Sequence, residues 1–140
     1  MESIFKEDEV ISILKRGLKQ DGWSVKEQVK AGKSFIDLAA DKDGIAFLIE
    51  AKGEDKGGLT SAEMNLQMGL GQIMSRMTDR SKKYGLAFPR TADFMKVLQK
   101  YEGSTAFKTL DLYLFVAERD RNYFVVPPSD IAAFINDNRT

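Results

Sequence analysis

Two strand-forming runs, Ser34–Ala40 and Ile45–Lys52, flank the segment Asp41-Lys42-Asp43-Gly44. Asp-Gly tolerates the positive φ that tight hairpin turns need, so the two runs are expected to pair as an antiparallel hairpin. Strand alternation then puts Glu50 and Lys52 on one face and Ala51 on the other. Asp37 lies on the partner strand, so two carboxylates and an ammonium can converge at one end of a small sheet. Two hard oxygen ligands for a divalent cation, with a lysine beside them, suit phosphodiester hydrolysis. The plainer alternative is a surface hairpin with an Asp37–Lys52 salt bridge. Against it, Glu50 and Lys52 extend the apolar run Ile45–Ile49. Ionisable groups at the end of a buried strand usually serve a site or a satisfied pair.

Composition removes many competing chemistries. The chain has 140 residues, which suits one domain with a real core. It has no cysteine and no histidine. Disulfides, thiolate or imidazole metal sites, cysteine nucleophiles, serine–histidine triads and HNH-type nucleases are therefore excluded. Acid–base or metal chemistry must use carboxylates, lysine, tyrosine or water. With 21 Lys+Arg against 21 Asp+Glu, the net charge is zero and gives no global pull toward nucleic acid. The first nine residues are acidic and lack the apolar core of a signal peptide, and no apolar run reaches membrane-spanning length. A cytoplasmic protein with no membrane contact is expected.

The pattern of residues predicts a helix over 4–20, a strand over 23–29, a turn at Ala31-Gly32 and the two hairpin strands. Gly53 to Gly58 reads as a mobile loop. Thr60-Ser61-Ala62-Glu63 has capping-box form and is expected to start a second helix reaching about Met77. A short buried strand over 84–88, stopped by Pro89, and a helix over 91–101 follow. Strands over 110–116 and 123–126, with a turn near Asp120-Arg121-Asn122, lead to a C-terminal helix behind Pro127-Pro128-Ser129. This order implies an α/β fold, a mixed sheet flanked by helices.

An Asp, a hairpin, then Glu-x-Lys on the next strand, with a helix before and another after, resembles the PD-(D/E)XK nuclease superfamily. The resemblance runs from the N-terminus to about Arg90, and Ile36 stands where the family usually has proline. It implies a restriction endonuclease-like αβββαβ core, here with a C-terminal αββα extension. It also implies Mg2+, with Mn2+ able to substitute, held by Asp37, Glu50 and the carbonyl of Ala51. Lys52 would orient or activate the attacking water and offset charge in the transition state. The apolar face of the first helix runs through Val10, Ile11, Leu14 and Leu18, and one further turn lands on Glu7. The family often places a third acidic ligand there, although Glu7 also complements the helix dipole. In the exonuclease branch a glutamine on the second helix approaches the catalytic lysine. Gln72 is the first match, on a flank shared with Asn65, Gly69 and Arg76, and Gln67 is the second.

Basic residues cluster at Lys26, Lys30 and Lys33, and again at Arg76, Arg80, Lys82, Lys83 and Arg90. They can contact phosphates, or simply form a solvated surface. Met64, Met68, Met74 and Met77 read as packing residues, and Trp23 as a core residue. The expected function is a Mg2+-dependent nuclease acting on DNA through an activated water. The alternative is a nuclease-fold module that binds DNA or regulates a larger complex, with a partner subunit supplying recognition. A homodimer is expected, because cutting both strands needs two active sites.

Overall fold

The computed structural model describes residues 3–138; Met1, Glu2, Arg139 and Thr140 lie outside it. The elements are α1 (Glu7–Gln20), β1 (Ser24–Ala31), β2 (Ser34–Lys42), β3 (Ile45–Ala51), α2 (Gly58–Ser75), β4 (Lys83–Pro89), α3 (Ala92–Leu98), α4 (Ala106–Thr109), β5 (Leu112–Ala117), β6 (Tyr123–Val126) and α5 (Ile131–Asp137). Six strands form one mixed sheet whose spatial order follows the chain, β1-β2-β3-β4-β5-β6. The β1–β2, β2–β3 and β5–β6 pairs are antiparallel, while β3–β4 and β4–β5 are parallel. The two parallel joins need crossovers, which α2 and the α3–α4 segment supply. The fold is therefore α/β, with helices on both faces of a mixed sheet. Among the described residues, no helix is long and apolar enough to cross a membrane.

The turn at Asp43-Gly44 is as expected, with φ of 50° and 82° at its two residues. Several boundaries differ from the sequence reading. Helix α1 starts at Glu7 rather than Ile4, and its buried stripe is Val10, Ile13, Leu14 and Leu18, with Ile11 only partly covered. Helix α2 starts at Gly58 behind Gly57, so Thr60-Ser61-Ala62-Glu63 lies inside the first turns and no side chain caps the helix. The short α4 has no counterpart in the sequence reading, since four residues are too few to show a helical period.

Each sheet face carries its own core. Among the described residues, helix α1 with Phe5 just before it covers one face, packing on Leu38, Ala40, Phe47, Ile49, Ala51, Ala87, Phe115 and Ala117. The opposite face, with Leu48, Leu86, Phe88, Leu114 and Val116, is covered by α2, α3 and the C-terminal helices. The rings of Phe47 and Phe115 meet edge to face at 5.2 Å, and Phe115 also lies over Gly85, where a Cβ would stand 2.3 Å from its ring. Trp23 packs edge to face on Phe47 at 5.7 Å, in keeping with a core role.

The β1–β2 hairpin changes faces midway. Ile36 belongs to the α2-side core and Leu38 to the α1-side core, although a regular pleat puts residues two apart on one face. On β1, Val25 and Val29 divide in the same way. Gln28, between them, has φ of 52°, a left-handed conformation uncommon for a residue with a side chain. The roll at Gln28 and Asp37 brings the hairpin tip over the end of α2, where Arg76 Nε donates to the Phe35 carbonyl at 3.1 Å.

Candidate active site

The hairpin roll ends the β2–β3 ladder at Leu38–Ile49, one residue short of Asp37. The Ala51 N–H, left without a strand partner there, donates instead to Asp37 Oδ2 at 2.8 Å. Gln28 Nε2 donates to Asp37 Oδ1 at 3.3 Å from the other side. Asp37 is thereby fixed at the end of β3, half-buried, with lone pairs left on both oxygens. On the next strand the ladder to β4 stops at Ala51–Ala87. Pro89 has no N–H with which to carry it past Lys52. Strand ends and site therefore coincide.

Glu50 points to the α2 side and is only 5% exposed. Its carboxyl lies against that of Asp37, with Arg76 and Lys52 also in electrostatic range. Glu50 Oε1 is buried without a hydrogen-bond donor. A buried carboxylate oxygen without a donor is costly unless a proton or cation serves it. Burial, and then the negative charge of Asp37, push the Glu50 carboxyl up to about 7. Lys52 leaves the strand on the same face as Glu50. Its stem crosses α2 at Gly69, where a Cβ would lie 3.0 Å from Lys52 Cγ. Gly69 thus gives the lysine its channel, one helical turn from Gln72.

Glu7 reaches the rim from the opposite face. Gly53 passes so close to the start of α1 that a Cβ there would lie 2.0 Å from the Glu7 backbone nitrogen. Two hydrogen bonds hold this crossing: Glu54 N–H to the Phe5 carbonyl at 2.7 Å, and Phe5 N–H to Glu54 Oε1 at 3.0 Å. Glu7 is raised above the ordinary carboxylate range by burial and then by Asp37, with Lys52 opposing. The stretch from Gly53, expected to be a mobile loop, is tethered on its other side as well. Asn65 Nδ2 donates to the Gly53 carbonyl at 3.0 Å, and Gly57 N–H to Asp55 Oδ1 at 2.9 Å.

Asp37, Glu50, Ala51, Lys52 and Glu7 therefore meet at one rim. Among the described residues, however, no group of three or more acidic side chains forms a ready metal cage. Magnesium does not require one, since it binds through one or two carboxylates and keeps several waters. The Glu50 carboxyl, set against Asp37 and with one buried oxygen lacking a donor, fits such an ion. Gln72 lies on the same flank of α2, its Oε1 buried and without a donor. Gln67 is exposed on the other flank. Arg76 is turned inward, its Nη1 donating to the Gln72 carbonyl at 2.8 Å. Arg90 pairs with Glu118 and Asn138, and Lys83 with Tyr113 and Asp111. Gln28 escaped the sequence reading; a glutamine in an alternating strand carries no mark of left-handed backbone.

The raised Glu50 carboxyl makes stability depend on pH. Its folded-state value lies above the 4.5 of the unfolded chain, so the folded protein holds the extra proton between the two. The contribution is fully present below 4.5 and is lost as pH rises through about 7. After discounting for solvent screening, the loss is on the order of 2 kcal/mol. Thermal unfolding in chelator should show the melting temperature falling across that window, and Glu50→Gln should flatten the fall. An unchanged slope in the variant would remove Glu50 as its source.

No known protein-family profile matches this chain, and no curated protein matches it. Solved structures of similar fold exist. One is an fdxN element excision controlling factor protein from Anabaena variabilis, with a TM-score of 0.62 at 20% identity, covering 84% of this chain and 96% of that one. Another is an XisH family protein from Nostoc punctiforme, with a TM-score of 0.60 at 18% identity, covering 84% and 97%. At these identities the likeness is one of fold.

Proposed function

We propose that this chain is a Mg2+-dependent nuclease of PD-(D/E)XK type that hydrolyses DNA phosphodiester bonds with a water nucleophile. The observation that carries this reading is the buried Glu50 oxygen without a donor, set against Asp37 with Lys52 alongside. Asp37 and Glu50, with the Ala51 carbonyl, would hold the ion, and Glu7 would bind through water or substrate at the edge. When bound, the ion supplies Lewis acidity to the phosphate oxygens. Asp37 is oriented by the Ala51 N–H and the Gln28 amide, so its carboxylate needs little rearrangement to bind. Lys52 places a positive charge where the pentacoordinate phosphate gains negative charge, and it can hydrogen-bond the attacking water. Gln72, one turn from the lysine channel, would orient the substrate phosphate or that water.

A second reading has its own support. One structural neighbour is described as an excision controlling factor. By analogy, this chain would regulate or assist DNA rearrangement within a larger complex, with DNA recognition supplied by a partner subunit. The deciding experiment incubates the purified protein with plasmid, single-stranded and branched DNA in Mg2+, in Mn2+ and in EDTA. Cleavage restricted to the two metals supports the nuclease. Metal-independent DNA binding without cleavage of any substrate favours the regulatory module.

A further inference from the structure

An open groove of about 660 Å3 starts at the candidate active site and runs along the outer face of α1. Glu7 and Asp37 lie at its near end, Gln28 forms part of the β1 wall, and Lys15, Arg16 and Lys19 line the α1 side. The row Ser12, Lys15, Arg16, Lys19 has the spacing of three and four that puts side chains on one helical face. The buried stripe Val10, Ile13, Leu14 and Leu18 occupies the other. The near end is acidic and the far end basic. A divalent ion held at the acidic end would make the whole groove attractive to a polyanion.

The three basic groups are not equivalent. Lys15 Nζ is bound to Glu27 Oε2 at 2.6 Å across the groove, which neutralises both. Arg16 and Lys19 are exposed, and neither is paired among the described residues. Helix-dipole complementarity accounts for Lys19 in the last turn but not for Arg16 further back. The rise from Glu7 to Lys19 is about 18 Å, which matches roughly five nucleotides at the rise of one DNA strand.

We infer that this groove carries the phosphate backbone of a single DNA strand leading away from the scissile phosphate, with Arg16 and Lys19 each neutralising one phosphate. This rests on the nuclease reading for the placement of the scissile phosphate, but its test does not depend on cleavage. Each phosphate neutralised on a single strand contributes about 0.7 to the slope of log affinity against log salt. The experiment measures fluorescence anisotropy of a labelled single-stranded oligonucleotide in Ca2+ over a series of salt concentrations. It compares the wild type with the double variant Arg16→Ala/Lys19→Ala and with Lys96→Ala/Lys108→Ala, two exposed lysines away from the groove, as a remote control of equal charge. The groove variant should lose about 1.4 from the slope and about tenfold in affinity at low salt, while the control keeps both. Unfolding curves establish that both variants remain folded. A groove variant with the wild-type slope, or a control that loses as much, overturns the inference. Wild-type binding with the expected groove dependence but no cleavage in Mg2+ would defeat the nuclease and leave the strand path standing.

Discussion

Lys52→Ala is expected to lower the proposed Mg2+-dependent cleavage by about a thousandfold while leaving the fold intact. The magnitude is that of removing one preorganised charge from the point where negative charge develops. Stability should change little, because the lysine is half-exposed and its main packing is the stem against Gly69. Lys52→Met separates packing from charge, since it keeps an unbranched stem of similar length. Single-turnover cleavage of plasmid should fall as far in Met as in Ala. Asp37→Asn should fall comparably while retaining an oxygen for the Ala51 N–H. Wild-type rates in all three would dissociate any nuclease activity from this rim.

Gly53→Ala should be the most damaging small substitution in the chain. Its added Cβ would meet backbone, 2.0 Å from Glu7 N and 2.5 Å from Glu7 Cα, and backbone cannot rotate aside as a side-chain tip can. Relief requires the start of α1 to move off β3, at a cost of about 3 kcal/mol. It also carries Glu7 away from Asp37. Urea unfolding should show the loss, and residual cleavage by the folded fraction should fall as well. Gly71→Ala makes a matched control, because a Cβ there meets nothing within 4 Å. It should be neutral or slightly stabilising, helix propensity favouring alanine. Equal stability of the two variants would refute the close crossing.

What the chain disclosed in advance was local and periodic. The hairpin, its Asp-Gly turn, the placement of Glu50 and Lys52 opposite Ala51, and the link from α1 to Glu7 follow from alternation and helical spacing. The elements also appear in the order read from the residues. What stayed hidden depends on long-range packing. The left-handed Gln28 looks like any strand residue, yet the face change there ends the β2–β3 ladder and frees the Ala51 N–H for Asp37. The tethering of the glycine-rich stretch needs Phe5, which lies 49 positions from Glu54. By sequence Arg76 groups with the surface cations, because its bonds to the Phe35 and Gln72 carbonyls form only when α2 meets the hairpin. Helix α2 shows the same limit at its start, where a good capping sequence was passed over for Gly57.

The sheet is laid down in chain order, so every group at the rim comes from the stretch ending at Arg76. The later strands support it: the Ala87 carbonyl accepts from the Lys52 N–H, and Phe115 and Ala117 pack under α1. Strands added beyond β6 would therefore lengthen the sheet at the edge away from the rim and leave its side chains in place.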